Sequence, residues 1–172
     1  MLYTKPTIVP LSNHHNREAF DCGVVSLGRY IREQALQDAK GKIAATFVLS
    51  VDTPAAIAGY YALSSTGVNA GELPKDIAKK LPHYPLIPAT LIGRLAVDHR
   101  YQGNGYGELL LLDALQRSLI ATEQIGSMAV IVDVRDDKAK AFYEHFQFIP
   151  LVGCLNRLFL PMAAIKEELK GV

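Results

Sequence analysis

The chain has 172 residues, a length that suits one domain with one core, which we predict to span residues 1–172. Its formal net charge of +1 is too small to indicate a nucleic-acid-binding protein by itself. No apolar segment reaches the roughly 18 residues that a membrane span needs, and no secretory signal follows Met1, so the predicted location is the cytoplasm.

The cysteine and histidine residues show no metal-binding pattern. Cys22 and Cys154 lie far apart and belong to no Cys-x-x-Cys pair, which predicts reduced, partly buried thiols. His14 and His15 are adjacent and do not have the i, i+4 spacing of helical metal ligands. The sequence therefore predicts no metal site.

The first half of the chain predicts one helix and three strands. "TIVPL" is typical of a short strand, and "SLGRYIREQALQDAK" has helical spacing, with Ser26 as the predicted N-cap and Gly41 as the stop. "TFVLSVD" and "AIAGYYALSSTGV" indicate two strands joined by a turn at "DTPA". Gly71 to Pro88 is rich in proline and has room for one short helix at most.

In the second half, strands alternate with helices. "LIPATLIGRLAV" is apolar on both faces, as expected for a central strand, and "ELLLLDALQRSLIATEQIG" predicts a long helix that ends at Gly126. "SMAVIVDV" indicates another strand, and "DDKAKAFYEHF" a helix that begins with acidic residues. "FIPLV" and "NRLFLPM" predict the last strands, followed by a short charged helix. Because helices alternate with strands only here, the fold class is a mixed α/β sheet.

Between the central strand and the long helix lies "QGNGYG", Gln102 to Gly107, which contains three glycines. A P-loop is excluded because no Lys-Ser or Lys-Thr follows, and a dinucleotide fingerprint is excluded because Glu108 stands at its third glycine position. Backbone N–H groups at a strand-to-helix junction bind anions, so we predict a pyrophosphate-binding loop of another kind. The alternative is a tight connection that binds no ligand.

Two segments of the sequence resemble a known family. "QGNGYG" matches the Q/R-x-x-G-x-G/A signature of the GCN5-related N-acetyltransferases (GNAT), and "AKAFYEHFQF" resembles their A-x-x-F-Y-x-x-x-G-F segment. The resemblance implies the GNAT fold, a central mixed β-sheet with splayed central strands flanked by about four helices. It also implies acetyl-CoA as the cosubstrate. Gln147 replaces the family's glycine, and since a side chain makes positive φ costly, we expect the following turn to differ.

The resemblance narrows to one group within that family. "FDCG", "SLGRYIREQA", "IAGYYALSS" and "IGRLAVDHRYQGNGYG" are similar to the TacT/AtaT-type tRNA-acetylating toxins of toxin–antitoxin systems. This implies transfer of acetyl to the amino group of aminoacyl-tRNA, a block of translation, a ribbon-helix-helix antitoxin as partner, and a homodimer that binds operator DNA through that antitoxin. The alternatives are a GNAT enzyme that acetylates a small-molecule or protein amine, and a non-catalytic acyl-CoA-binding module.

The resemblance also implies the roles of site residues. The N–H groups of Gln102, Gly103, Asn104, Gly105, Tyr106 and Gly107 would bind the pyrophosphate, and the strand edge at Leu95, Ala96 and Val97 the pantetheine, with a nearby N–H polarising the thioester carbonyl. Tyr143 would donate a proton to the leaving sulfur. Phe142 is counted with the cofactor site, although it points to another helix face, where packing is its simpler role.

A general base and a tRNA surface remain to be assigned. Asp98, Glu108 and Glu144 are candidate bases only by proximity, and solvated or capping roles suit them better. An aminoacyl ester amine has a pKa at or below about 7.7–8.0, so much of it is neutral without a base. A phosphate-binding surface requires cations, and the candidates are Arg94, Arg100, Arg29, Arg32, Lys40, Lys42, Lys75, Lys79 and Lys80.

Overall fold

The structure is a computed structural model that describes residues 5–171, so both ends of the predicted 1–172 domain lie outside the described residues. The strands are β1 (Thr7–Pro10), β2 (Ala45–Ser50), β3 (Gly59–Asn69), β4 (Leu86–Val97), β5 (Ala129–Asp133), β6 (Ile149–Leu151) and β7 (Cys154–Pro161). The helices are α1 (Val25–Arg29), α2 (Ala35–Lys40), α3 (Lys75–Ala78), α4 (Tyr106–Ala121), α5 (Asp137–His145) and α6 (Met162–Lys170). Each predicted strand and helix has a counterpart here.

The strands form a mixed sheet in the order β1-β2-β3-β4-β5-β7-β6 among the described residues. β4 and β5 pair in parallel, with Thr90 opposite Val130. The β1–β2, β2–β3, β5–β7 and β6–β7 pairs are antiparallel. Parallel neighbours need a crossover connection, and α4 provides it between β4 and β5. The predicted mixed α/β class is confirmed.

The contacts of the chain fall into two compact units, and β3, β4 and α4 contribute residues to both. The first unit contains the residues up to Ser64 together with Gly93–Ala114, and the second contains Ser65–Ile92 and the residues from Leu115 onward. Each unit buries an apolar cluster. The first includes Phe20, Tyr30, Ile31, Val48, Tyr60 and Ala96, and the second includes Val68, Ile87, Ile131, Leu151 and Phe159.

The first helical segment begins earlier than predicted. α1, a π-helical turn over Tyr30–Gln34, and α2 follow one another without a gap. Val24 is the N-cap, and its carbonyl accepts the N–H groups of Leu27 and Gly28, so the prediction of Ser26 as N-cap is wrong. The helix therefore starts without a side-chain cap. Gly41 follows α2 and donates its N–H to the Gln37 carbonyl, which confirms the predicted end.

Helix α4 is shorter than predicted. It ends at Ala121, five residues before the predicted stop at Gly126. The Thr122 hydroxyl donates to the Leu119 carbonyl at 2.5 Å, and a threonine that bonds a nearby carbonyl competes with the helical pattern. The N–H groups of Gln124 and Ile125 then donate to the Ala121 carbonyl, which ends the helix.

Among the described residues, no helix is long and apolar enough to cross a membrane.

The turn after α5 keeps its glycine-type geometry despite Gln147. Gln147 has φ = 72°, in the left-handed region. Its N–H donates to the Glu144 carbonyl, and the N–H of Phe148 donates to the Tyr143 carbonyl, which is the Schellman pattern of a helix C-terminus. The expectation of a different turn is therefore wrong, because these two hydrogen bonds hold a residue other than glycine in the strained position.

We expect Gln147→Gly to raise the free energy of unfolding by about 0.5–1 kcal/mol. Left-handed backbone costs an L-residue about 1–2 kcal/mol, and the greater freedom of glycine in the unfolded chain offsets part of the gain. Urea denaturation measures the change. Gln147→Ala is the matched control, because alanine keeps the strain and gains nothing. Equal stabilisation by both variants would mean that the Gln147 side chain, and not its φ, is responsible.

Candidate active site

The glycine loop connects β4 to α4 through one turn of 3-10 helix, His99–Tyr101. Gly103 and Gly105 have φ = 83° and 78°, a conformation that side chains disfavour. A Cβ added to either glycine would meet no atom within 4 Å, so the surrounding protein does not exclude a side chain there. The glycines therefore serve the backbone conformation and leave open space on the exposed side of the loop.

The loop presents a row of unused hydrogen-bond donors. Within residues 5–171, no backbone N–H from Gly103 to Glu108 donates to a protein acceptor, and the first bond of the helix runs from the Leu109 N–H to the Gly105 carbonyl. A helix N-terminus also carries partial positive charge, and α4 is 16 residues long. These donors fit a diphosphate, which makes the loop suitable for the pyrophosphate of a nucleotide-linked cosubstrate.

Two side chains of the loop donate to backbone carbonyls of the residues that precede it. Gln102 donates its side-chain N–H to the Val97 carbonyl at 3.0 Å, and Asn104 donates to the Tyr101 carbonyl at 3.0 Å. Gln102 thus contacts the end of β4. The Gln102 bond holds the loop to the end of β4, and the Asn104 bond holds it to the 3-10 turn.

The end of β4 is the predicted thioester-binding strand. Pairing with β5 covers Thr90 to Ile92, and β4 continues through Leu95 to Val97. Ala96 is buried, whereas Leu95 and Val97 are partly exposed. The residues of β4 beyond the paired register can offer backbone groups to an extended ligand, as an added strand would take them.

Gly59 of β3 is a residue of this region that our sequence interpretation missed. A Cβ on Gly59 would lie 2.8 Å from the Ala96 carbonyl oxygen and 2.8 Å from a methyl carbon of Leu110. A glycine inside a strand often marks a close approach of another backbone, and this signal was available in "IAGYYALSS". Gly59 therefore fixes how closely β4 approaches at Ala96.

Asp98 joins the end of β4 to the segment before α1. Its buried carboxylate accepts the Arg100 N–H at 2.9 Å, the Arg100 guanidinium at 2.9 and 3.1 Å, and the Asp21 N–H at 2.9 Å. Burial alone would raise the pKa of Asp98, but the hydrogen bonds from Arg100 and Asp21 outweigh burial and hold that pKa below its usual value. Asp98 is therefore an ionised structural group, not an available proton acceptor. Glu108 and Glu144 are exposed.

Tyr143 lies on α5 in the second unit, and its side chain is buried. Its ring packs edge-on against Phe142 and Phe148, with centroids 5.1 and 5.4 Å away. Burial raises the pKa of Tyr143 above its usual value near 10, so the phenol stays protonated at neutral pH. Across the described residues no protein group hydrogen-bonds the hydroxyl, which leaves its proton available to a ligand. Phe142 packs against Phe146 as well.

The predicted cationic residues have different surroundings. Arg29, Lys40 and Lys42 are exposed on the first helical segment and the turn after it. Arg32 is half-buried and donates to the Phe20 carbonyl at 3.0 Å. Lys75, Lys79 and Lys80 are exposed in the second unit.

Two arginines near the end of β4 differ in their partners. The Arg100 guanidinium is engaged by Asp98, so much of its charge is neutralised locally. Arg94, on β4, instead lies over the ring of Tyr30, with its guanidinium carbon 3.6 Å from the ring centroid. Of the two, Arg94 keeps the charge that a ligand could use.

Comparisons with known proteins agree with this geometry. Residues 42–150 match the family described as "Acetyltransferase (GNAT) domain". A probable toxin TacT of Sinorhizobium fredii is 33% identical over 171 residues, which are 95% of this chain and 94% of the relative. The structure of AtaT complexed with acetyl-methionyl-tRNAfMet superposes with a TM-score of 0.89 at 32% identity, over 96% of this chain and 99% of that one.

A further neighbour is a tyrosine-to-phenylalanine mutant of the toxin AtaT, bound to the C-terminus of the antitoxin AtaR and acetyl-CoA. It has a TM-score of 0.80 at 28% identity and covers 95% of this chain and 98% of its own. The similarity thus extends over nearly the full length of the chain and reaches proteins with tRNA, antitoxin and acetyl-CoA bound.

Proposed function

Because the chain belongs to the family of GNAT acetyltransferases, we propose that it transfers the acetyl group of acetyl-CoA to the α-amino group of aminoacyl-tRNA and so blocks translation. The observation that carries the proposal is the row of unused backbone N–H groups from Gly103 to Glu108, which follows the strand that would hold the thioester after one turn of 3-10 helix. Acetyl-CoA supplies an activated acyl group as a thioester.

In this proposal, β4 and the glycine loop bind and orient the cosubstrate. The loop N–H groups hold the pyrophosphate, and the backbone of Leu95 to Val97 pairs with the pantetheine amides. An N–H at Ala96 or Val97 donates to the thioester carbonyl oxygen and stabilises the negative charge that develops there. The loop N–H groups need no rearrangement to bind the pyrophosphate, because no acceptor among the described residues is hydrogen-bonded to them.

Tyr143 acts as the general acid. The neutral amine attacks the thioester carbonyl carbon, the carbon–sulfur bond breaks, and the Tyr143 hydroxyl gives its proton to the departing sulfur. The burial that raises its pKa keeps the proton in place until the thiolate forms. The acceptor amine is largely neutral before attack, because its pKa lies near neutrality, so no carboxylate is needed as a base. After attack its nitrogen gives its extra proton to solvent, and the Tyr143 phenolate regains a proton from solvent.

The acceptor RNA needs a cationic surface, and the first unit supplies one. Arg29 and Lys40 are exposed on one helical segment and Lys42 in the turn after it, and Arg32 and Arg94 are partly exposed in the same unit. Arg100 contributes less, because Asp98 holds its guanidinium. Each true phosphate contact removed from such a surface reduces the salt dependence of binding.

We also propose the partners and the setting of this activity. Because the similar protein AtaT binds the C-terminus of an antitoxin, a cognate antitoxin neutralises this chain, and we expect it to be of the ribbon-helix-helix type. The chain acts as a homodimer and reaches operator DNA only through that antitoxin. Charged tRNA is a cytoplasmic substrate, so the activity belongs to the cytoplasm.

The direct test is incubation with labelled acetyl-CoA and a mixed pool of charged tRNAs, followed by identification of the acetylated amino acid. We expect label on the amino acid of one or a few tRNAs, and none on uncharged tRNA. Label on free amines or proteins, with charged tRNA left untouched, would favour the small-amine or protein-amine alternative, which the net charge of +1 suits. Expression should also arrest growth.

Gly59→Ala should impair both stability and acetyl-CoA use. The added Cβ would lie 2.8 Å from the Ala96 carbonyl oxygen, so β4 must move at the proposed thioester site. We expect a loss of about 1–3 kcal/mol in the free energy of unfolding, the usual effect of overpacking, and a higher KM for acetyl-CoA. Gly71→Ala is the control, because its Cβ meets nothing within 4 Å. Equal effects of the two variants would contradict this role of Gly59.

A further inference from the structure

Among the residues that the structure describes, Arg94 is a cation without an anionic partner. Its guanidinium carbon lies over the Tyr30 ring, 3.6 Å from the ring centroid. Among residues 5–171, no carboxylate forms an ion pair with Arg94, and its side chain donates no hydrogen bond. Stacking holds the guanidinium through its face and leaves the N–H groups at its edge unused. The side chain is thus held in place by the protein while its donors remain available.

Tyr30 is itself firmly fixed. Its side chain is buried, and its hydroxyl donates to Asp38 at 2.9 Å. Asp38 also accepts the side-chain N–H of Gln34 at 2.8 Å, so the carboxylate is braced from a second direction. The ring of Tyr60 stacks with that of Tyr30 at 6.4 Å and an interplanar angle of 22°. The ring beneath Arg94 is therefore a rigid platform.

The position of Arg94 on β4 suggests what its free donors meet. Arg94 and Ala96 are two residues apart, so their side chains lie on the same face of the strand, about 7 Å apart along it. An aminoacyl group that is acetylated at Ala96 or Val97 brings the last nucleotides of its RNA to this strand. Arg94 is not needed for the pyrophosphate of the cosubstrate, which has its own donors in the glycine loop. Those donors, Gly103 to Glu108, begin nine residues after Arg94.

From this geometry, we propose that Tyr30 is a positioning residue, whose ring orients the Arg94 guanidinium to bind a backbone phosphate at the 3′ end of the acceptor tRNA. This inference rests on the proposed function. A guanidinium matches a phosphate with two parallel N–H donors, and this match is lost when the plane of the group is free to rotate. Asp38 takes part indirectly, by holding the Tyr30 hydroxyl.

The test compares Tyr30→Leu, Arg94→Gln and the double variant in steady-state kinetics with one charged tRNA. Tyr30→Leu removes the platform and should raise KM for aminoacyl-tRNA about 5- to 30-fold, as expected for loss of a partly desolvated cation–π contact. KM for acetyl-CoA should stay unchanged. The double variant should be no worse than Arg94→Gln alone, because both changes disable the same contact.

Two matched variants separate positioning from folding. Tyr30→Phe keeps the ring and should leave KM for aminoacyl-tRNA within about threefold of the native value, because the stacking face is retained. Arg94→Lys keeps the charge without the planar fork and should behave like Tyr30→Leu. Arg94→Gln should also reduce the salt slope of log(kcat/KM) by about 0.7, the value for one phosphate contact with a single strand.

The outcomes distinguish this inference from the function on which it rests. If the native chain acetylates no charged tRNA, both are overturned. If it does, but the effects of Tyr30→Leu and Arg94→Gln multiply in the double variant, or the salt slope does not change, only the role of Tyr30 and Arg94 is overturned. An equal rise in both KM values in Tyr30→Leu would likewise overturn it, because it indicates general damage to the fold.

Discussion

Tyr143→Phe is expected to lower turnover by about 10²–10⁴-fold, the usual contribution of a positioned general acid, with little change in KM for acetyl-CoA. The substitution removes only the hydroxyl. The ring contacts with Phe142 and Phe148 remain, so the core of the second unit should keep its packing. A loss confined to kcat is what a group acting on the leaving sulfur would show.

The pH dependence gives a second check on Tyr143. Burial raises the pKa of its phenol, so the acid form persists through pH 9 and the native rate should not fall on the alkaline side as a result of its ionisation. Below about pH 7 the rate should fall, since the acceptor amine becomes protonated. The profile can be measured as kcat/KM for aminoacyl-tRNA from about pH 6 to about pH 9.

A matched control for this substitution is Tyr84→Phe, which removes the hydroxyl of an exposed tyrosine in the second unit. Its kinetics should equal those of the native chain. Nearly native turnover in Tyr143→Phe would exclude Tyr143 as the acid, and solvent would then have to protonate the thiolate. A rise in KM for acetyl-CoA similar in size to the fall in kcat would indicate a binding role.

The extent to which the sequence predicts this fold differs between elements. The bounds of β4 coincide with the predicted "LIPATLIGRLAV", because a long apolar run between a proline-rich segment and a glycine loop leaves little choice of register. The predicted end of α4 was wrong because the observed end depends on a hydrogen bond from Thr122. The spacing of apolar residues in the sequence does not indicate such a bond. The predicted N-cap of α1 was wrong because the helix starts at the backbone carbonyl of Val24, without a hydrogen bond from a serine side chain.

The candidate site shows the same division between local and long-range information. The glycine loop and its open N–H groups follow from a local pattern of six residues. The contact between Asp98 and the Asp21 N–H joins residues 77 positions apart, and no local pattern indicates it. The stack of Arg94 on Tyr30 is of the same kind, since the sequence suggests a cation at Arg94 but not the aromatic ring that holds it.

The long-range contact at Asp98 leads to the second large effect, which we expect from Asp98→Asn. The buried carboxylate accepts four hydrogen bonds, from the Asp21 N–H and from three N–H groups of Arg100. An amide of the same shape turns one acceptor oxygen into a donor that faces other donors. We expect a loss of about 2–4 kcal/mol in the free energy of unfolding, since the donors of Arg100 and Asp21 lose a buried, charged acceptor.

Function should suffer as well, because Asp98 caps the 3-10 turn that leads into the glycine loop. Without this cap the loop must be ordered when acetyl-CoA binds, and we expect KM for acetyl-CoA to rise about tenfold, equivalent to roughly 1.4 kcal/mol. Glu108→Gln is the control. It makes the same chemical change at an exposed residue beside the same loop and should leave stability and KM nearly native.

The pH dependence of stability separates a charged role of Asp98 from simple packing. The pKa of Asp98 is lowered in the folded chain, so its ionised form contributes stability above the unfolded pKa near 3.9, and this contribution is lost as the pH falls through the lower folded value. The native chain and Asp98→Asn should therefore differ most near pH 7, and the difference should begin to shrink below about pH 4 in urea denaturation. A difference that stays constant down to about pH 3 would mean that shape, and not charge, holds the loop to the segment before α1.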